Sequence, residues 1–353
     1  MSSEAAAAPH SGLDPIAESA RRAAFRLAFG VTACFAMVEA LEWDATFVAP
    51  LLAANMLVKL PRPPSLAQGL GLIVLIALST GFVLTATAAL IGNAAVLILA
   101  LTLLLYLSFY AHRLGAPELA TLLLQISAVA LPIIAVASPD AAGTFATTLA
   151  LAGIAALITV WVAHAAFPAP TAQATAAAPA ANSTRTAEPA MAARHALLDT
   201  LVLLPVLTWY ILDATQVAVV MLIIILTLLR QHDPKRGQRV ALGLIFGNLI
   251  GGIAAAIAYN LVILSNTLLF FITVCLAASL IFAGRIVTAG DRAPIYAVAF
   301  TTFILLLGLG MTPLPGGSGE AFVNRLLYVL LASAYAIGGL SLVQRWRNDR
   351  PSS

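Results

Sequence analysis

Apolar runs of membrane-crossing length follow one another from Phe25 to Val343, separated by short polar breaks. A bilayer core about 30 Å thick takes about 20 residues of helix at 1.5 Å rise each. Six such spans are predicted in the first half, at about 25–42, 45–60, 66–90, 94–111, 117–138 and 142–166. Six more are predicted at about 196–212, 214–230, 238–262, 267–288, 293–311 and 321–343. Most breaks are strong, such as Glu42-Trp43-Asp44, Pro61-Arg62-Pro63-Pro64 and Ser138-Pro139-Asp140. Gly92-Asn93 and Ser265-Asn266 are weaker, and each reads either as a tight turn or as a kink in one long span.

Composition agrees with the pattern. Hydrophobic residues make up 61% of the 353 and charged residues only 9%, with a mean hydropathy of +0.99. Soluble domains carry roughly 25% charged residues. The expected class is an all-α polytopic membrane protein, and a soluble core is excluded. Met1–Ala20 carries Glu4, Asp14 and Glu18 ahead of Arg21 and Arg22, with no apolar run, and reads as a disordered cytoplasmic N-terminus rather than a signal peptide. Cys34 and Cys275 sit inside separate apolar runs and read as small buried hydrophobes. The net charge of +3 is spread among loops, so it points to membrane topology and not to nucleic acid.

Topology follows from those cations. With the N-terminus in the cytoplasm, twelve spans put 17 of the 18 Lys and Arg residues on the inner side and leave Arg325 near the outer side. Merging the weakly separated spans would expel Arg113 and Arg292, so the breaks are read as turns and both termini as cytoplasmic. The hexapeptide Asp44-Ala45-Thr46-Phe47-Val48-Ala49 recurs as Asp213-Ala214-Thr215-Gln216-Val217-Ala218, an offset of 169 residues. Gln68 and Gln238 repeat at an offset of 170. Similarity at a fixed period signals duplicated structure. Six spans per half make the two repeats parallel, related by a twofold axis along the membrane normal. The expected organisation is therefore a tail (1–20), a six-span module (21–167), an Ala/Pro/Thr-rich cytoplasmic linker (168–193), a second module (194–345) and a C-terminal tail (346–353).

The stretch Arg26-Leu-Ala-Phe-Gly-Val-Thr-Ala, then Trp43-Asp-Ala-Thr-Phe-Val-Ala-Pro50, a basic loop and a glycine-bearing third span resembles the fusaric acid resistance superfamily, which includes aromatic-acid exporters. That resemblance implies two six-span modules in the bacterial inner membrane and work beside a periplasmic membrane-fusion (adaptor) protein. Many members carry a large cytoplasmic domain between the modules. This chain has only the linker there, so it resembles a compact branch.

No phosphate-cradling loop, metal-ligand spacing or serine-histidine-acid set appears, so neither an enzyme nor a cofactor nor a metal is expected. Asp44 and Asp213 read either as N-caps or as relays at the mouth of a pathway. Glu39 lies near the outer end of span 1, while Asn55 and Lys59 share a face of span 2. Glu118, Thr121 and Gln125 form one polar stripe on span 5, which either lines a path or holds helices together. Asp199 sits near the inner end of span 7, where solvent would reach it, and Arg325 stands as an anion attractor or a snorkelling cation. Gly243, Gly247 and Gly251 make a close-packing face, for another helix of the chain or for a homo-oligomer. His112, His164 and His232 fall at cytoplasmic ends and read as interface residues.

Two functions fit these expectations. One is a proton-driven efflux transporter for small organic, aromatic-acid-like compounds. The other is a non-transporting scaffold that docks an export partner.

Overall fold

A computed structural model describes residues 15–43, 46–168, 188–213, 237–265 and 267–311, with scattered positions within 222–230 and 327–339. Among the described residues every regular element is a helix, joined by short turns. The first half holds α1 (Pro15–Ala40), α2 (Val48–Lys59), α3 (Leu66–Leu90), α4 (Ala94–Arg113), α5 (Glu118–Ala137) and α6 (Pro139–Ala166). The second holds α7 (Pro189–Asp213), α8 (Gly237–Leu264), α9 (Leu268–Thr288) and α10 (Ala293–Met311). Among the described residues, nine helices are long and apolar enough to cross a bilayer. The exception is α2, whose 12 residues reach only about 18 Å.

Local chemistry explains the boundaries. Ser65 and Gln68 form a reciprocal capping box at the start of α3: Gln68 N–H donates to Ser65 Oγ at 3.3 Å, and Ser65 N–H donates to Gln68 Oε1 at 2.9 Å. Asn93 caps α4 by accepting from Val96 N–H, so the weak break at Gly92-Asn93 is a tight turn between two helices. Ser138 caps α6, with Pro139 in the first helical position, where its missing N–H costs nothing. Helix α1 starts at Pro15, inside the stretch 1–20 that the sequence assigns to a disordered tail. An i, i+4 pair of Glu18 with Arg22 at 2.5 Å supports that extra turn.

The helices turn apolar side chains outward as well as inward. Leu70, Val74, Leu78 and Phe82 stand exposed along α3, and Leu99, Leu103 and Leu107 along α4. Such faces suit lipid, which is as apolar as they are. Contacts between the halves are reciprocal. The first helix of the first half, α1, packs along α9, which corresponds to the fourth expected span of the second. The first of the second half, α7, packs along α4, the fourth of the first. Likewise α3 lies on α5, and α8 lies on α10. This exchange of partners is the pattern expected of two halves related by a twofold axis.

The three glycines of α8 meet α10 inside the chain. A methyl group on Gly247 would stand 2.8 Å from the Ile295 carbonyl oxygen, and one on Gly251 would strike the Ala299 carbonyl oxygen. On Gly243 it would meet only the Ile295 side chain, at 3.2 Å. The small residues bring two backbones together, and that face is occupied within the chain.

Candidate functional site at the seam between the halves

The polar stripe on α5 is where the two halves exchange side chains. Glu118, Thr121 and Gln125 are spaced so that two helical turns place them on one face. Into this face reaches Arg230, one of the described helical positions within 222–230. Its guanidinium donates to Gln125 Oε1, to the Glu118 backbone oxygen at 2.9 Å and to Thr121 Oγ1 at 3.2 Å, and lies 3.4 Å from His112 Nδ1.

Charge compensation around it is uneven. Lys59, at the end of α2, donates to the Glu118 carboxylate. Glu118 opens α5, just before its apolar stretch Ala120–Ala137. Burial opposes its charge, but Lys59 first and then Arg230 and His112 outweigh burial and hold its carboxyl below the usual range. Arg113 of α4 donates to Asp199 of α7 at 2.5 Å. Both carboxylates thus have cations of their own. Among the described residues no carboxylate lies within ion-pair distance of Arg230. Its hydrogen-bond acceptors are neutral, and the Glu118 carboxylate, already bound by Lys59, acts on it only through space.

Gln125 adds a second feature. It is fully buried, with its Oε1 bound by Arg230, and its Nε2 has no hydrogen-bond partner. An enclosed donor left without a partner carries a desolvation cost of about 1–3 kcal/mol. A guanidinium and a free amide N–H₂ side by side are what a carboxylate or similar oxyanion would bind.

Several expected residues lie elsewhere. Asn55 donates to Leu51 O of its own helix at 2.9 Å, so its amide does not bridge to another helix. Glu39 is half-buried at the far end of α1 from Lys59, near Cys275 of α9. Asp44 and Arg325 lie outside the described residues. The N-cap of α2 is Phe47, three positions past Asp44, and it makes no side-chain cap bond. Thr46 instead donates to Gly308 O of α10 at 2.6 Å, and that contact ties the halves together. Asp213 closes α7, and the residues after it, 214–221, lie outside the described set. His232 lies outside it too.

Three expectations need correction. Asp199 is 2% exposed and not solvated, because α7 begins at Pro189 and carries it three turns in from that end. His164 is buried, with Nδ1 2.9 Å from Val160 O and Nε2 3.3 Å from Leu60 O. Lys59 and Arg230 read as topology cations, yet both converge on α5. They occupy the same place in each half, 171 residues apart and close to the repeat offset, and that correspondence was the available signal. Among the described residues no cluster of three His, Cys, Asp or Glu groups is placed to hold a metal ion.

Membrane-length helices with outward apolar faces, packed around buried polar groups, define a polytopic all-α membrane protein. Residues 23–164, the first half, match the model of a family described as a protein of unknown function (DUF2955). No curated protein and no solved structure matches the chain.

Proposed function

We propose that the chain is an inner-membrane efflux transporter for small organic anions of the aromatic-acid type, driven by protons and working beside a periplasmic adaptor, with both termini cytoplasmic. The observation that carries this reading is the half-buried Arg230 guanidinium, hydrogen-bonded to neutral acceptors beside the unpartnered Gln125 amide. A fixed cation in a low-dielectric seam attracts an anion more strongly than the same charge would in water. The α5 stripe lies at the end of the bundle that holds Lys59, Arg113 and Arg230, which the positive-inside rule assigns to the cytoplasm, where an exporter loads. No enzymatic role is proposed. The resemblance to fusaric acid resistance proteins supports the substrate class and the adaptor.

The test is accumulation of a labelled aromatic acid in cells expressing each variant at matched membrane abundance. Arg230→Gln and Glu118→Gln raise accumulation towards that of cells without the protein, and Arg325→Ala does so if the outer cation draws the anion onward. Export unchanged in both Arg230→Gln and Glu118→Gln makes the α5 cluster structural. A parent that exports nothing across a broad panel leaves the scaffold as the function.

A further inference from the structure

A second cation is buried without a partner, apart from the α5 cluster. Arg26 of α1 is 7% exposed, and among the described residues it has neither a hydrogen bond nor an ion pair. Its surroundings are basic and aromatic. Arg26 interacts electrostatically with His164 near the end of α6. The loop after α2 is drawn against that end. Leu60 O meets His164, and Pro64 O accepts from Trp161 Nε1 at 2.8 Å. Lys59 and Arg62 therefore belong to the same end of the bundle. The nearest acid along α1, Glu18, is engaged by Arg22 at 2.5 Å. Beside Arg26, Phe167 stacks on Phe25 at 6.0 Å and meets Phe29 edge-on at 5.6 Å. Phe25 is 42% exposed, on the face that α1 turns outward.

Most of Arg26 is enclosed while its guanidinium nitrogens still reach the surface, and a cation so shielded and without a protein acceptor is stabilised by a ligand that supplies one. The continuous apolar run of α1 starts at Phe25, and the ends of α2 and α6 lie at the same end of the bundle, so Arg26 lies near the headgroup depth of a bilayer. Phosphodiesters are the abundant oxyanions at that depth, and a guanidinium fork matches their paired oxygens. The surrounding cations disfavour a headgroup that carries its own amine, and basic pockets between helices select net-negative lipids. We propose that Arg26 anchors a site for an anionic phospholipid, its phosphate in the crevice where α1, the α2–α3 loop and the end of α6 meet, and its glycerol against Phe25 and Phe167.

The full chain, purified in nonionic detergent, is titrated with phosphatidylglycerol, phosphatidylcholine or inorganic phosphate, and retained lipid is read by native mass spectrometry alongside the unfolding temperature. Phosphatidylglycerol is expected to bind the parent about tenfold more tightly than it binds Arg26→Gln, as expected when one charged anchor is lost. It should raise the parent's unfolding temperature, and the exposed-site control Arg62→Gln should retain most of that gain. Without lipid, Arg26→Gln should be at least as stable as the parent, because it removes an uncompensated charge. Equal retention of phosphatidylglycerol by parent and Arg26→Gln overturns the proposal. Inorganic phosphate that stabilises the parent as well as the lipid does, or a labelled aromatic acid that displaces the lipid, also overturns it and marks a free-anion site. Should Arg26→Gln fail to fold, Arg26→Lys decides: it keeps the charge and loses the fork, and an undiminished affinity for phosphatidylglycerol overturns the assignment.

Discussion

The Arg113 guanidinium on α4 and the Asp199 carboxylate on α7 meet at 2.5 Å across the seam between the halves, with Asp199 almost wholly enclosed. The pair joins the fourth helix of the first half to the first helix of the second, along the length where α4 and α7 pack. Neither partner is paid for by its own half of the sequence.

Removing one charge from a buried pair leaves the other uncompensated, which costs more than the pair contributes. Asp199→Asn should therefore destabilise the protein by on the order of 3 kcal/mol. Arg113→Gln added to it should recover much of that loss. Unfolding of the parent, the two single variants and the double variant in detergent gives the cycle. Additive losses would mean that the two side chains do not depend on each other.

The glycines of α8 should differ sharply among themselves. Gly251→Val and Gly247→Val drive a side chain into α10 backbone, which cannot yield, and should cost about 1–3 kcal/mol or more. Gly243→Ala meets only the flexible end of Ile295 and should stay within about 1 kcal/mol. Membrane abundance and unfolding temperature report the order. If Gly243→Ala proves the worst of the three, the close approach of α8 to α10 is misplaced.

Orientation is open to labelling, since the native Cys34 and Cys275 are both buried and give a quiet background. The 28 residues of α6 span about 42 Å, and its far end is tied to Pro64 through Trp161. New cysteines at the exposed positions Asp140 and Thr267 should react with an impermeant maleimide added outside cells. Those at Pro63 and Asp291 should react only after the membrane is opened. Reaction of Pro63 from outside reverses the orientation and moves the loading end to the other face.

Much of the architecture is written in the linear pattern. The bounds of α3, α4, α5, α9 and α10 lie within a few residues of the expected spans, because membrane helices are set by local apolar length and local caps. Ser65 with Gln68, Asn93, and Ser138 before Pro139 are local signals of that kind. The stripe Glu118, Thr121 and Gln125 is equally legible, since its three members share one helix face.

The partners across the seam are not. Which cation claims Glu118, which carboxylate takes Arg113, and where Arg230 comes to rest depend on helices far apart in sequence. Apolar patterning says that a helix crosses but not which neighbour it meets, because lipid and protein offer a leucine nearly the same environment. Only packing of the halves enclosed Asp199, tied Thr46 to Gly308, and left the half-buried Arg230 and the buried Arg26 without a carboxylate in ion-pair contact among the described residues. The sequence by itself determined that this is an all-α chain built to cross a membrane. Tertiary structure alone decided which of its charges are compensated, because compensation is a matter of a few ångströms between residues that the chain keeps far apart.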